Sequence, residues 1–339
     1  MIILIKSVMS IMIGFIFSGL LGLMIVPFFK KRQFNQVLNR FLEKEHKEKV
    51  GTPTMGGLIF IIPSFLITLI LIVFNKIKLY DSLIIIMFTF ISYAIIGFID
   101  DFLIIKKQNN KGLSKNQKLI MQVIIAIVFF YLFMKTGNEP LIWIHTLKIR
   151  KNIGWLYGLF ILFILTASSN AVNLTDGLDG LAGGLSLISF ITFGILSWNA
   201  DWLLGYEEIA IFAFILVGSL LGFMIFNVNK AKIFMGDIGS LALGATLGAY
   251  AIITRHELLL ILIGIVFIIE TVSCIIQLIV YKYTKKRVFL MTPIHHTFEK
   301  LGWNEQDIVK LFWIIGLIAS MIAIIWGVIL WKKWTYLFS

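Results

Sequence analysis

LFILFILTASSNAVNLTDGLDGLAGGLSLISFITFGIL, residues 159–196, is two apolar runs joined by a polar knot. The knot, NAVNLTDGLDG at 170–180, repeats an amide or carboxylate every third position: Asn170, Asn173, Asp176 and Asp179. A carboxylate without a partner is costly in hydrocarbon, so membrane segments normally exclude it. Residues three apart share a helix face, but each such step drifts by about 60°. The four side chains therefore cannot line one face of a straight helix. Gly177 and Gly180 end the helix inside the knot, leaving Asn170 and Asn173 on its last turns and Asp176 and Asp179 in the turn beyond.

The flanking runs are typical of the whole chain. Hydrophobic residues make up 59% of its 339 positions and charged residues 14%, against roughly a quarter charged in a soluble domain; the mean hydropathy is +0.95. Stretches long enough for helical spans lie at about 8–29, 57–74, 82–99, 119–134, 155–171, 183–198, 209–226, 238–253, 258–281 and 311–331. The short alternating segments of a membrane barrel are absent from the sequence. The fold class is all-α: a polytopic helical membrane protein of about ten transmembrane helices, with residues 1–339 forming one integral-membrane domain. The first run exceeds a signal-peptide core and enters the basic stretch PFFKKRQFNQ without a cleavage motif, so it reads as a retained span. A single cysteine, Cys274, allows no intramolecular disulfide.

The net charge of +12 is explained by the membrane without nucleic acid. With ten spans, 20 of the 30 Lys and Arg fall in odd-numbered loops. The positive-inside rule then places those loops in the cytoplasm and both termini outside. The basic segment KIRK at 148–151 dissents. The unusual polar stretches all border odd-numbered loops: HKEKVGTPTMGG (46–57), GFIDDF (97–102), KGLSKNQK (111–118), the knot, NKAKIFMGDIGS (229–240) and TPIHHTFEK (292–300). They point to one composite cleft at the cytoplasmic face. Asp100 and Asp101 end the third apolar run, and their mutual repulsion calls for a divalent cation or a cationic partner. Asp237 stands between glycines at the start of the eighth span, where a helix N-terminus favours anions. His295 and His296 are placed to contact phosphate or move protons. Oxygen ligands, histidines and basic loops between lipid and water suit magnesium-assisted phosphate chemistry with one soluble and one lipid-borne reactant.

GTPTMGG, GFIDDF, KGLS, NAVNLTDGLDGLAGG, FMGD and PIHH, in this order, resemble the phospho-N-acetylmuramoyl-pentapeptide-transferases, a branch of the polyprenyl-phosphate sugar-1-phosphate transferases. The likeness runs from about residue 46 to 304. It implies transfer of phospho-MurNAc-pentapeptide from UDP-MurNAc-pentapeptide to undecaprenyl phosphate, giving lipid I and UMP, with Mg²⁺ required. It also implies a bacterial cytoplasmic membrane and a homodimer. By motif, Asp237 is the main magnesium ligand, with Asp100 and Asp101 beside it, and Asp100 is the base for the lipid phosphate. Asn170, Asn173, Asp176 and Asp179 line the nucleotide and metal pocket, and Phe234 stacks near uracil with Asn227 and Gly236 nearby. Lys49, Thr54, Lys111, His295 and His296 complete the polar rim. The sequence departs from the family pattern at Ile104 (a lysine), Lys230 (a proline), Ile238 (a threonine) and Thr297 (a third histidine). Rival readings are a sister enzyme using UDP-GlcNAc and a transporter or flippase. The transporter reading has little support, because Glu270 is the only strongly acidic residue found inside a span.

Overall fold

A computed structural model describes residues 2–32, 34, 51–107, 112–144, 149–200, 202–228 and 230–330. The elements are α1 (Ile2–Lys31), α2 (Leu58–Val73), α3 (Asp81–Lys107), α4 (Lys115–Lys135), β1 (Leu141–Ile144), β2 (Ile149–Asn152), α5 (Leu156–Thr175), α6 (Leu181–Trp198) and α7 (Tyr206–Asn227). There follow α8 (Gly236–Ile253), α9 (Leu259–Ile263), α10 (Ile265–Thr284), α11 (Ile294–Lys300) and α12 (Glu305–Ile324), the last continuing as a π-helical stretch, Ile325–Leu330. Among the described residues, nine helices are long and apolar enough to cross a membrane, and α2 is a shorter apolar helix of 16 residues. Together they match the ten expected spans, and the chain is a multi-pass membrane protein.

Helices α7 and α8 form the centre, apolar on every side and almost wholly enclosed, as a helix without a polar face must be. Lipid gives two apolar helices no hydrophobic reason to associate, so close backbone contact at small residues has to hold them together. A Cβ at Gly14 of α1 would meet the carbonyl of Ile215 in α7, and one at Gly218 of α7 would meet Ile11 of α1. The Ser18 hydroxyl of α1 reaches the carbonyls of Ile59 (2.9 Å) and Ser219 (2.6 Å), joining three helices at one buried point. Gly97 of α3 lies against the start of α8, where a Cβ would collide with the backbone carbonyl of Asp237.

Four boundaries differ from the sequence reading. Helix α3 runs past Asp100 and Asp101 to Lys107, because both carboxylates find partners and need not end the helix. The ninth run breaks at Gly264 into α9 and α10. TPIHHTFEK contains a short helix, α11. Residues 149–151 of the dissenting KIRK segment lie in β2, antiparallel to β1 with Leu141 opposite Asn152 and Ile142 opposite Lys151, so the helical bundle carries one small two-stranded sheet.

Parallel packing of α1 on α7 puts the start of α1 at the end of the bundle away from Asn227. Helix α12 begins beside Asp179 and ends near Leu196, Leu259 and His256. The start of α1 and the end of α12 therefore both lie at the end of the bundle away from the polar motifs. The contact at Gly97 is a sensitive point: Gly97→Ala should push α8 off α3, costing about 1–3 kcal/mol as overpacking. Thermal unfolding in detergent should show a lowered midpoint; an unchanged midpoint with unchanged turnover would contradict this packing.

Candidate active site

The described parts of the six polar stretches meet at one end of the bundle. At their centre, Lys118 of α4 extends its ammonium between two carboxylates, 3.1 Å from Asp100 Oδ1 of α3 and 2.5 Å from Asp237 Oδ2 of α8. Helix α4 is set for this by a capping box, in which the Ser114 hydroxyl accepts the Gln117 N–H and the Gln117 side chain accepts the Ser114 N–H. The Leu113 N–H donates to Asp100 Oδ1 at 2.7 Å. Gly112 lies so close that a Cβ there would press on the same carboxylate. Asn173, on the last turn of α5, donates from Nδ2 to Asp237 Oδ1 at 2.7 Å and to the Ser240 hydroxyl at 2.9 Å.

Asp101 does something different from its neighbour. Its two carboxylate oxygens accept the backbone N–H groups of Asp237 (3.2 Å) and Ile238 (3.1 Å), the first donors of α8. These N–H groups have no partner within their own helix, and the dipole favours a negative charge there. Asp101 of α3 thus caps α8 from outside. Gly236 permits the approach: it has φ +76°, and a Cβ would meet Asp101 Oδ2 and the Thr54 hydroxyl. The anion expected at the start of the eighth span is this carboxylate.

A strap before α2 fixes the other side. The Phe234 N–H donates to the Pro53 carbonyl, and the N–H groups of Gly56 and Gly57 donate to the carbonyls of Phe234 and Met235, each at 2.8 Å. GTPTMGG and FMGD are thereby paired backbone to backbone, leaving the Phe234 ring half-buried and Thr54 buried. The knot ends as its glycines suggest, with Asp176 at the C-cap of α5 and Asp179 in the turn. Asp179 Oδ2 accepts the Ala231 N–H at 2.7 Å, and the Asp179 N–H donates to Glu305 of α12 at 2.6 Å. Asn227 is buried, with its carbonyl accepting the Gly180 N–H (3.1 Å) and its amide donating to the Ile233 carbonyl (3.0 Å). Asn170 is exposed and donates back to Thr166.

The histidines diverge. His295 Nδ1 lies 3.1 Å from Glu270 Oε2, both side chains fully buried, whereas His296 Nδ1 lies 2.5 Å from Glu299. Thr297, at the position of the family's third histidine, bonds Met291 instead. Lys49 and Lys111 lie outside the described residues. Lys118 is the functional candidate not singled out from the sequence, and Glu270, noted there as a lone acid within a span, proves to be paired with His295. Lys118 sits in KGLSKNQK, where it reads as one more basic loop residue.

A cation between Asp100 and Asp237 suits the donor set. Both carboxylates already converge on one positive charge, and magnesium is commonly held by one or two carboxylates with phosphate oxygens completing the shell. Among the described residues no group of three or more His, Cys, Asp or Glu gathers as a ready-made cage. An apolar cavity of about 480 Å³ lies among α5, α8, α9 and α10. It is lined by Phe160, Ile164, Phe267 and Ile268, and reaches Val172, the residue before Asn173.

The model of glycosyl transferase family 4 matches residues 82–255. A phospho-N-acetylmuramoyl-pentapeptide-transferase of Geobacillus sp. (strain WCH70) is 42% identical over 94% of this chain and 96% of its own length. The Bacillus subtilis (strain 168) protein of the same name is 41% identical over 93% and 96%. The chain belongs to the phospho-N-acetylmuramoyl-pentapeptide-transferase family. In this family member the acidic motifs are bonded together through Lys118, Asn173 and the start of α8. If Asp101 acts as the cap of α8, Asp101→Ala should lower stability by about 1–3 kcal/mol by leaving two backbone donors, one of them buried, unmatched. Asp101→Asn, which keeps one acceptor, should lie between it and the parent in thermal unfolding; equal midpoints for all three would refute the capping role.

Proposed function

We propose that this chain transfers phospho-MurNAc-pentapeptide from UDP-MurNAc-pentapeptide to undecaprenyl phosphate, yielding lipid I and UMP, at the cytoplasmic face of a bacterial cytoplasmic membrane. The observation that carries the reading is the convergence of Asp100, Lys118, Asp237 and Asn173 in a chain of this family. An oxygen of the lipid phosphate attacks the sugar-bearing phosphorus of the donor. The new P–O bond forms as the bond to the UMP oxygen breaks, and the proton of the lipid phosphate passes to Asp100. A single displacement needs no covalent enzyme intermediate, only reactants held in line and charge matched around them.

Lys118 supplies fixed positive charge where the diphosphate must enter, and Asn173 holds the Asp237 carboxylate in one orientation. Asp100 and Asp237 are the residues that would hold Mg²⁺. The ion's contribution is neutralisation of the diphosphate as charge moves to the leaving group. Asp101, Gly236 and the strap keep the start of α8 in place beneath them. The half-buried Phe234 ring offers a stacking face for uracil, with Thr54, Asp176, Asp179 and His295 around the pocket. The apolar cavity beside Val172 receives part of the isoprenoid chain, so its phosphate enters from the lipid side while the nucleotide enters from water.

UMP release with purified protein, undecaprenyl phosphate and Mg²⁺ tests this directly. The muramoyl donor should be consumed and UDP-GlcNAc should not, and Asp237→Asn should lower turnover by about 100–1,000-fold. Chelation of Mg²⁺ should stop the reaction. Consumption of UDP-GlcNAc alone would move the chain to the sister specificity, and full activity of Asp237→Asn would remove this residue from the mechanism.

A further inference from the structure

Glu270 has no place in the mechanism above, yet it is a carboxylate inside a membrane span with no exposed surface. Burying such a group costs several kcal/mol unless a partner compensates, and removing one member of a buried pair leaves the other uncompensated. Its close partner here is His295. Glu270 Oε2 lies 3.1 Å from the imidazole Nδ1 and accepts the backbone N–H of the same residue at 3.4 Å. This two-point contact fixes both where α11 begins and which way the ring faces.

The far side of the ring is equally constrained. His295 Nε2 abuts Gly177, between Asp176 and Asp179 in the knot, and any Cβ at Gly177 would overlap it. The ring is fully buried: Nδ1 faces Glu270 at ion-pair distance but outside hydrogen-bond geometry, and Nε2 has no hydrogen-bond partner among the described residues. A buried polar atom without a partner is rare in a finished structure and calls for a functional explanation. His296, by contrast, turns away to Glu299, so the two neighbours are not interchangeable.

We infer that Glu270 is a positioning residue for the transfer reaction: it holds the His295 proton on Nδ1 and keeps Nε2 directed at the Asp176–Asp179 turn, to accept a hydrogen bond from the donor substrate. A carboxylate facing Nδ1 selects that tautomer, which leaves the Nε2 lone pair free. The donor presents hydroxyl and amide N–H groups that match such an acceptor, whereas a fully ionised phosphate does not. Gly177 leaves against Nε2 the space that a Cβ would fill, and the turn it belongs to must yield for the donor to reach this buried atom. The inference rests on the transferase reading and adds to it the histidine's tautomer and the acid that sets it.

The test is a double-mutant cycle with UMP release as the readout, using the full-length protein in detergent. Glu270→Leu should lower kcat by about 100-fold, the loss that follows when a reacting geometry is displaced by roughly 1 Å. It should leave the KM for undecaprenyl phosphate within twofold, and turnover is compared below the variant's own unfolding temperature, which loss of the acceptor for His295 should lower. Glu270→Gln, whose amide oxygen can still accept from Nδ1, should recover most of the activity. In a His295→Ala background, Glu270→Leu should have no further effect, because Glu270 acts only through that ring. Additive losses in the cycle, or equal activity of the Leu and Gln variants, would overturn the inference. Histidine ¹⁵N spectra supply a readout independent of turnover: His295 should carry its proton on Nδ1 in the parent and change in Glu270→Leu. A proton on Nε2 in the parent would overturn the inference even with the enzyme active. Parent protein with Nδ1 protonated but no UMP release would instead overturn the transferase reading, and with it the hydrogen bond to substrate.

Discussion

Two carboxylates on two different helices, Asp100 and Asp237, are held together by one ammonium, Lys118. Without a cation between them they would repel across a partly desolvated cleft, and α3 and α8 could not keep their present contact. The surrounding architecture serves this junction. Gly97 lets α3 approach the backbone of α8, Gly112 makes room for the Asp100 carboxylate, and Asn173 fixes the second oxygen of Asp237. Asp101 completes the arrangement by binding the first N–H groups of α8. Adjacent acids in sequence therefore have opposite duties, one facing the cleft and one facing a helix end.

The same junction explains why the centre of the protein is built from small residues. Hydrogen-bond partners in the cleft come from α3, α4, α5 and α8, and each must approach within a side chain's reach. Bulky interfaces would separate them. In a bilayer, small residues also supply the association that soluble proteins draw from hydrophobic burial. Gly14 and Gly218 at the α1–α7 contact serve packing alone, whereas Gly97 and Gly236 serve packing and chemistry together.

The spans were legible because hydrocarbon imposes a length and a composition on each of them. The end of α5 was legible because Gly177 and Gly180 mark where the knot leaves the helix. The continuation of α3 was not: a pair of aspartates reads as a stop unless Lys118 and the α8 N–H groups, far along the chain, are known to meet them. Lys118 was hidden for the complementary reason, since a lysine at a cytoplasmic loop is already explained by topology. Glu270 looked isolated because its histidine arrives from α11, outside the span. The pairing of 141–144 with 149–152 was obscured by its basic residues, which suggested only a charged loop. Single-residue patterns showed which groups are unusual, and tertiary contacts decided what each one does.

Helix α2 has 16 residues, about 24 Å of rise against a hydrocarbon core near 30 Å. A span this short meets bilayer thickness differently from α1 and α7, the helices it packs on, which have 30 and 22 residues and can tilt. Its start is not independent, because Gly56 and Gly57 are bonded to Phe234 and Met235, immediately before Asp237. Adjustment of α2 to a thicker or thinner membrane is therefore transmitted through that strap to the mouth of the cleft. The composition of the surrounding lipid becomes a mechanical input to a site built from charges.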